Sequence, residues 1–151
     1  MATNNLLVLV LGGTGLTGKS IVDGLLRSGN FVRAQLCPLS RHSTVLTDRC
    51  PQRVAVLIRP ASVKKPIVRT LKASGIEIRV GDLIDDFQQL KQYLQGVDIL
   101  ISAVDARVVG KQRDIFRAAK EVGVQRVIPG DWATPGAKGI RVLADVVRHS
   151  A

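Results

Sequence analysis

Near the amino terminus stands Gly12-Gly13-Thr14-Gly15-Leu16-Thr17-Gly18-Lys19-Ser20, directly after the apolar run 6–11. Its residue types and spacing could do chemistry in two ways. Gly12, Gly15 and Gly18 form G-x-x-G-x-x-G, akin to the dinucleotide fingerprint. There the first glycine makes a tight turn, the next lets backbone approach a pyrophosphate, and the last lets helix pack on strand. Free N–H groups and the positive end of the helix meet the anionic charge. Gly13 through Ser20 also satisfy G-x-x-x-x-G-K-S, in which Lys19 would reach phosphate and Ser20 would hold Mg²⁺. Without a ligand, glycines so spaced cost backbone entropy and return no packing.

Position along the chain favours the first parsing. A dinucleotide site needs a discriminating residue at the end of strand two, about 20 residues past the glycines. Arg59 lies 41 residues beyond Gly18, or 20 once the aperiodic 21-residue stretch 32–52 is set aside. That strand ends on no Asp or Glu suited to a ribose 2′-OH. It ends on Arg59, followed by Lys64 and Lys65, the charges that suit a 2′-phosphate and hence NADP(H) over NAD(H). On the triphosphate reading Asp82 or Asp105 would supply the acid for Mg²⁺, but no second guanidinium poised for a γ-phosphate stands out.

Other reactive residues form no complete constellation. A catalytic Tyr-x-x-x-Lys would use its lysine to lower the phenol's pKa. The only tyrosine, Tyr93, is followed four residues later by Val97, which points to a core or rim role. Lys138 is the nearest available general acid, yet it lies in a Pro/Gly loop. Cys37, His42 and Cys50 have neither of the spacings that zinc needs, so no metal is expected. No catalytic residue is assigned.

The elements that position these residues alternate. Residues 6–11 form a continuous apolar strand, of the kind buried on both faces. A helix follows with Leu16, Ile21, Val22, Leu25 and Leu26 on its apolar face, closed by Gly29. Residues 54–58 form strand two. Pro66 opens a helix that Gly75 ends, and Ile76, Ile78 and Val80 form strand three. Residues 86–95 form a helix burying Phe87, Leu90 and Leu94, and 97–104 strand four. About 108–122 is a helix, and 124–128 strand five. Five strands alternating with four helices imply a doubly wound parallel α/β sheet, Rossmann-like, with right-handed crossovers. The stretch 32–52, far longer than the ~2–6 residues usual for such connections, reads as an irregular excursion; an extra strand around 44–46 is the alternative.

The chain has 151 residues, 46% of them hydrophobic and 23% charged, as in one globular domain. Its longest apolar run is far too short to span a membrane, and it sits too near Met1, with no basic segment before it, for a signal peptide. A reducing, cytoplasmic setting with Cys37 and Cys50 as thiols is therefore expected. The net charge is +10, but the cations are scattered and aromatics make up only 3%, so a solvated surface is favoured over nucleic-acid or membrane binding.

As a set, several stretches resemble the NmrA-like and isoflavone-reductase-like branch of the atypical short-chain dehydrogenases. They are residues 12–20, Val56-Leu57-Ile58-Arg59-Pro60-Ala61-Ser62, Val80-Gly81-Asp82-Leu83, residues 97–104, Arg126 to Trp132, and Thr134 to Gly139. The resemblance covers residues 6–31 and 53 to about 143. It implies NADP(H) lying across the carboxyl ends of the strands. Gly12, Gly13, Thr14, Gly15, Leu16 and Thr17 would hold the pyrophosphate, and Arg59, with Lys64 or Lys65, the 2′-phosphate. Asp82 and Leu83 would take the adenine side, and Ser102, Ala103 and Val104 the nicotinamide ribose, with Gln112 approaching the cofactor. For Asp82 the alternative is a helix N-cap, and for Ser102 a small residue at a crowded strand end.

In complete relatives the implied activity is hydride transfer to a small aromatic or secondary-metabolite substrate, in a cleft above Ser102 and Asp131. The alternatives are a non-catalytic dinucleotide-sensing regulator working through a protein partner, or a fragment without activity. The pattern departs from the family in two places. Residues 32–52 read as an insertion, and residues 144–151 do not continue into the helix that carries the reductases' catalytic lysine. The expected organisation is a dinucleotide-binding domain over 1–143, truncated before the substrate lobe, and an unmatched tail over 144–151. An imperfect gene model would account for both departures.

Overall fold

The computed structural model describes residues 6–28 and 53–130. Cys37, His42 and Cys50, the 32–52 stretch, Asp131, Lys138 and the 144–151 tail lie outside the described residues.

Five parallel strands form one sheet: β1 (Leu7–Leu11), β2 (Arg53–Ile58), β3 (Glu77–Val80), β4 (Ile99–Ser102) and β5 (Arg126–Ile128), in the order β3-β2-β1-β4-β5. β1 is central, pairing Val8 with Val54 on one side and with Ile99 on the other. All five of its residues are buried, which is why its sequence is apolar without alternation. The pleat sends neighbours to opposite faces. Leu7, Leu9 and Leu11 pack with α3 (Phe87–Tyr93) and α4 (Gln112–Glu121) through Leu90, Ile115 and Ala118. Val8 and Val10 pack with α1 (Leu16–Ser28) and α2 (Pro66–Ala73) through Val22, Val68 and Leu71. Each fully buried Leu or Val contributes about 1.5–3 kcal/mol, so the two layers anchor the strand ends that build the site.

The doubly wound class is as expected; several boundaries are not. β4 is shorter than 97–104 because Val97 closes a turn onto the Leu94 carbonyl, while beyond Ser102 the Ala103 N–H still donates to the Leu11 carbonyl and the Ala103 carbonyl then crowds Gly12. The helix expected over 108–122 is a 3₁₀ turn, Ala106–Lys111, followed by α4. The Asp105 side chain accepts from the Arg107 N–H and tightens that entry. Leu16 is 94% exposed and Leu26 45% exposed, against the apolar face assigned to them. Leu16 is two and a half turns from Leu25, at ~3.6 residues per turn, and so lies on the opposite side of α1. The inward stripe is Gly18, Ile21, Val22 and Leu25.

Candidate functional site

The carboxyl ends of β1–β4 open into one crevice of about 590 Å³, within the usual range for small-molecule sites. Its first wall is the turn after β1. Gly12 takes φ +73°, and a Cβ there would stand 2.6 Å from the Ala103 carbonyl oxygen, so only glycine lets β1 and β4 meet this closely. The Gly15 N–H donates to the Gly12 carbonyl at 2.9 Å and closes the turn. Gly13 is buried on Val56, and Gly18 packs α1 onto the backbone of Gly12 and Gly13, so, against the expectation from sequence, these glycines return close packing without any ligand. α1 then starts at Leu16, directing its unpaired first N–H groups toward the turn.

This geometry serves the dinucleotide parsing rather than the triphosphate one. The eight-residue pattern is split between a four-residue turn and the start of a helix. The Lys19 N–H is committed to the Gly15 carbonyl at 2.9 Å, and the Ser20 hydroxyl donates to the Leu16 carbonyl at 3.3 Å. Neither side chain lines the crevice.

Cations stand on the next wall. Arg59 follows β2 in extended conformation (φ −61°, ψ 143°) and leads into the 3₁₀ turn Pro60–Ser62. Arg59 and Lys65 line the crevice and Lys64 does not. Neither Arg59 nor Lys65 forms an ion pair among the described residues.

The β3 end contributes Gly81 to Ile84. The Asp82 N–H donates to Asp85 Oδ2 at 2.7 Å, the Leu83 N–H donates to Asp82 Oδ1 at 2.7 Å, and the Tyr93 hydroxyl donates to Asp85 Oδ2 at 2.7 Å. That last bond, then burial and the neighbouring acids, pushes the Tyr93 phenol up to about 12. The Asp82 N–H, and after it the Tyr93 hydroxyl, holds the Asp85 carboxyl below its ordinary value. Asp82 is not a helix cap. Asp86 caps α3, accepting from the N–H groups of Gln88 and Gln89.

Past β4, Ala103 and Val104 line the crevice. Ser102 is fully buried and lies beside Gly130, whose N–H donates to Gln112 Oε1 at 3.2 Å. Ser102 and Gln112 thus stand behind the crevice wall, at the crowded end of β4. Of the remaining glycine-turn residues, Thr14 lines the crevice, while Leu16 and Thr17 are exposed outside it. Sequence reasoning missed Ile84, Arg107, Val108 and Lys111, which also line it. The signal was available: each follows a strand's carboxyl end. Arg107 is held by Asp105 through Nε–Oδ1 at 2.8 Å and Nη2–Oδ2 at 3.2 Å, and this guanidinium pushes the Asp105 carboxyl down to about 2. Amides, cations and apolar side chains along one slot can hold an elongated polyanion with a flat apolar end.

The NmrA-like family model matches residues 4–139. The chain belongs to the NmrA-like family. Like other matched members, an isoflavone reductase-like protein of Olea europaea is longer: it is 34% identical over 128 residues, covering 84% of this chain and 35% of its own. An asnovolin J 5′,6′-dehydrogenase of Aspergillus novofumigatus is 29% identical over 144 residues, covering 95% of this chain and 38% of its own. Among solved structures, the leucoanthocyanidin reductase–NADPH complex from Vitis vinifera superposes with a TM-score of 0.62 at 22% identity, over 95% of this chain and 46% of that one. This NmrA-like chain therefore spans less than half the length of the relatives it matches. No described helix is long and apolar enough to cross a membrane.

Proposed function

We propose that this chain is the NADP(H)-binding part of an NmrA-like oxidoreductase that reduces a small aromatic or secondary-metabolite substrate. One observation carries the reading: the glycine turn and Arg59 flank a single crevice, and the tip of β2 bears that guanidinium and no carboxylate. The names of the relatives, reductases and a dehydrogenase, support the activity class.

The residues fit the cofactor. Gly12, Thr14 and Gly15 line the crevice with Arg59 and Lys65, two cations that form no ion pair among the described residues, a donor set suited to phosphates. A bound nicotinamide dinucleotide would supply the hydride. The Gly12–Thr17 turn, through those of its amides not spent within the turn, holds the pyrophosphate, Arg59 with Lys65 holds the 2′-phosphate, and Asp82 with Leu83 borders the adenine. Ala103 and Val104 flank the nicotinamide ribose, with Ser102 and Gln112 supporting them from behind. Residues 1–143 form the dinucleotide-binding unit, with 32–52 as an insertion and 144–151 as a tail, in a cytoplasmic protein whose ligands are small molecules rather than nucleic acid or membrane.

Calorimetric titration with NADPH and NADH, on wild type and Arg59→Ala, tests this. Losing a charge-assisted phosphate contact costs about 1.5–3 kcal/mol, roughly 10- to 150-fold, for NADPH and little for NADH. Equal losses for both would refute the 2′-phosphate role, and a wild type that binds neither would refute the site.

A further inference from the structure

Tyr93 sits on α3, outside the crevice, yet two of its contacts run to the loop that forms the crevice wall and a third to β3, which leads into that loop. Its ring lies against Gly81 so tightly that a Cβ there would overlap the ring and come 2.8 Å from the hydroxyl oxygen. Its hydroxyl donates to Asp85 Oδ2, the same oxygen that accepts the Asp82 N–H. Its backbone carbonyl accepts from Arg79 Nη1, which also donates to the Gln95 carbonyl at 3.0 Å, tying the end of α3 to β3. Asp82, whose amide is held this way, lines the crevice together with Gly81 and Leu83.

We propose that Tyr93 is a positioning residue for the nucleotide crevice: through Asp85 it fixes the 81–84 loop and sets where the Asp82 carboxylate stands. Removing the hydroxyl leaves Asp85 with one fewer donor and frees it to leave the Asp82 amide. The ring still covers Gly81, so the fold survives. The inference rests on the dinucleotide reading only for the ligand's identity; the latch itself is a property of the loop.

The test compares wild type, Tyr93→Phe and Lys91→Ala. Lys91 lies on the same helix and pairs with Glu121 at 2.6 Å, so its removal loosens the contact between α3 and α4 without touching the latch. Titrations with NADPH and with adenosine 2′,5′-bisphosphate, which shares only the adenine half, should show Tyr93→Phe weakened about three- to tenfold for both, the range of one hydrogen bond. Lys91→Ala should bind as wild type does. Wild-type affinity in Tyr93→Phe, or equal weakening in both variants, overturns the proposal. Amide exchange reads the latch without any ligand: the Asp82 N–H should exchange faster in Tyr93→Phe, and unchanged protection there overturns it. Failure of wild type to bind either ligand overturns the dinucleotide reading instead, and exchange then decides the latch alone.

Discussion

The carbonyl oxygen of Ala103 occupies the space that a side chain on Gly12 would need, leaving 2.6 Å to an added Cβ. This contact brings the β1 turn and the β4 tip together at the switch point of the sheet, where a doubly wound fold places its ligand. Gly12→Ala would meet both this oxygen and a left-handed backbone. The expected cost is about 2–4 kcal/mol, read as a lowered urea midpoint, with loss of dinucleotide binding.

Gly24 is the contrasting case. It lies inside α1 with nothing within 4 Å of an added Cβ. Gly24→Ala should stabilise the protein by about 0.5–1 kcal/mol, raising Tm by roughly 2–4 °C and leaving ligand affinity unchanged. A lowered Tm would show that the helix is under constraint at this point.

Asp98 joins three strands. Its Oδ2 accepts from the Leu7 N–H at 2.8 Å, its Oδ1 from Gln125 Nε2 at 3.0 Å, and its carbonyl from the N–H groups of Gln125 and Arg126. Asp98→Ala strands the Leu7 amide at the start of β1 and should cost about 1–3 kcal/mol in denaturant unfolding. Asp98→Asn keeps an acceptor for that amide and should cost less. Equal costs would mean that the carboxylate's charge, not its geometry, matters.

Tyr93 is the sole tyrosine, so an absorbance titration reports its ionisation alone. The hydrogen bond to Asp85 pushes its folded pKa up to about 12, from an ordinary value of 10.0. A group whose pKa is raised by folding contributes stability fully below its unfolded pKa and loses it as pH climbs through the folded one. The contribution should therefore stand below pH 10 and fade toward pH 12. Asp85→Ala should bring the titration back toward the ordinary value, and a midpoint unmoved by that change would argue against the bond.

Much of the fold was legible because its signals are local. The apolar run at 6–11 read as a strand covered on both faces and that at 54–58 as a second strand, and the glycines after the first run marked the turn. The helix start near Asp86 was legible, but the sequence offers Asp82 as a cap, and only the structure shows Asp86 accepting from the N–H groups of Gln88 and Gln89. By contrast, Leu16 looked apolar and inward, and only its place around α1 turned it to solvent. Ser102 and Gln112 fell behind the wall because Gly130, brought over by β5, stands beside both.

The residues alone determined the parallel α/β class and the β1 turn, since periodicity and glycine spacing act within a few positions of each other. Tertiary structure decided which parsing of Gly12–Ser20 the backbone builds, which cations share the crevice, and that Tyr93 reaches Asp85. The first two outcomes depend on strand ends far apart in sequence meeting at the carboxyl end of the sheet, and the third on how the 81–86 loop folds back onto α3, eight residues along. The tie between Leu7 and Asp98, 91 residues apart, shows why: no local pattern encodes a hydrogen bond that exists only once β1 and β4 lie side by side.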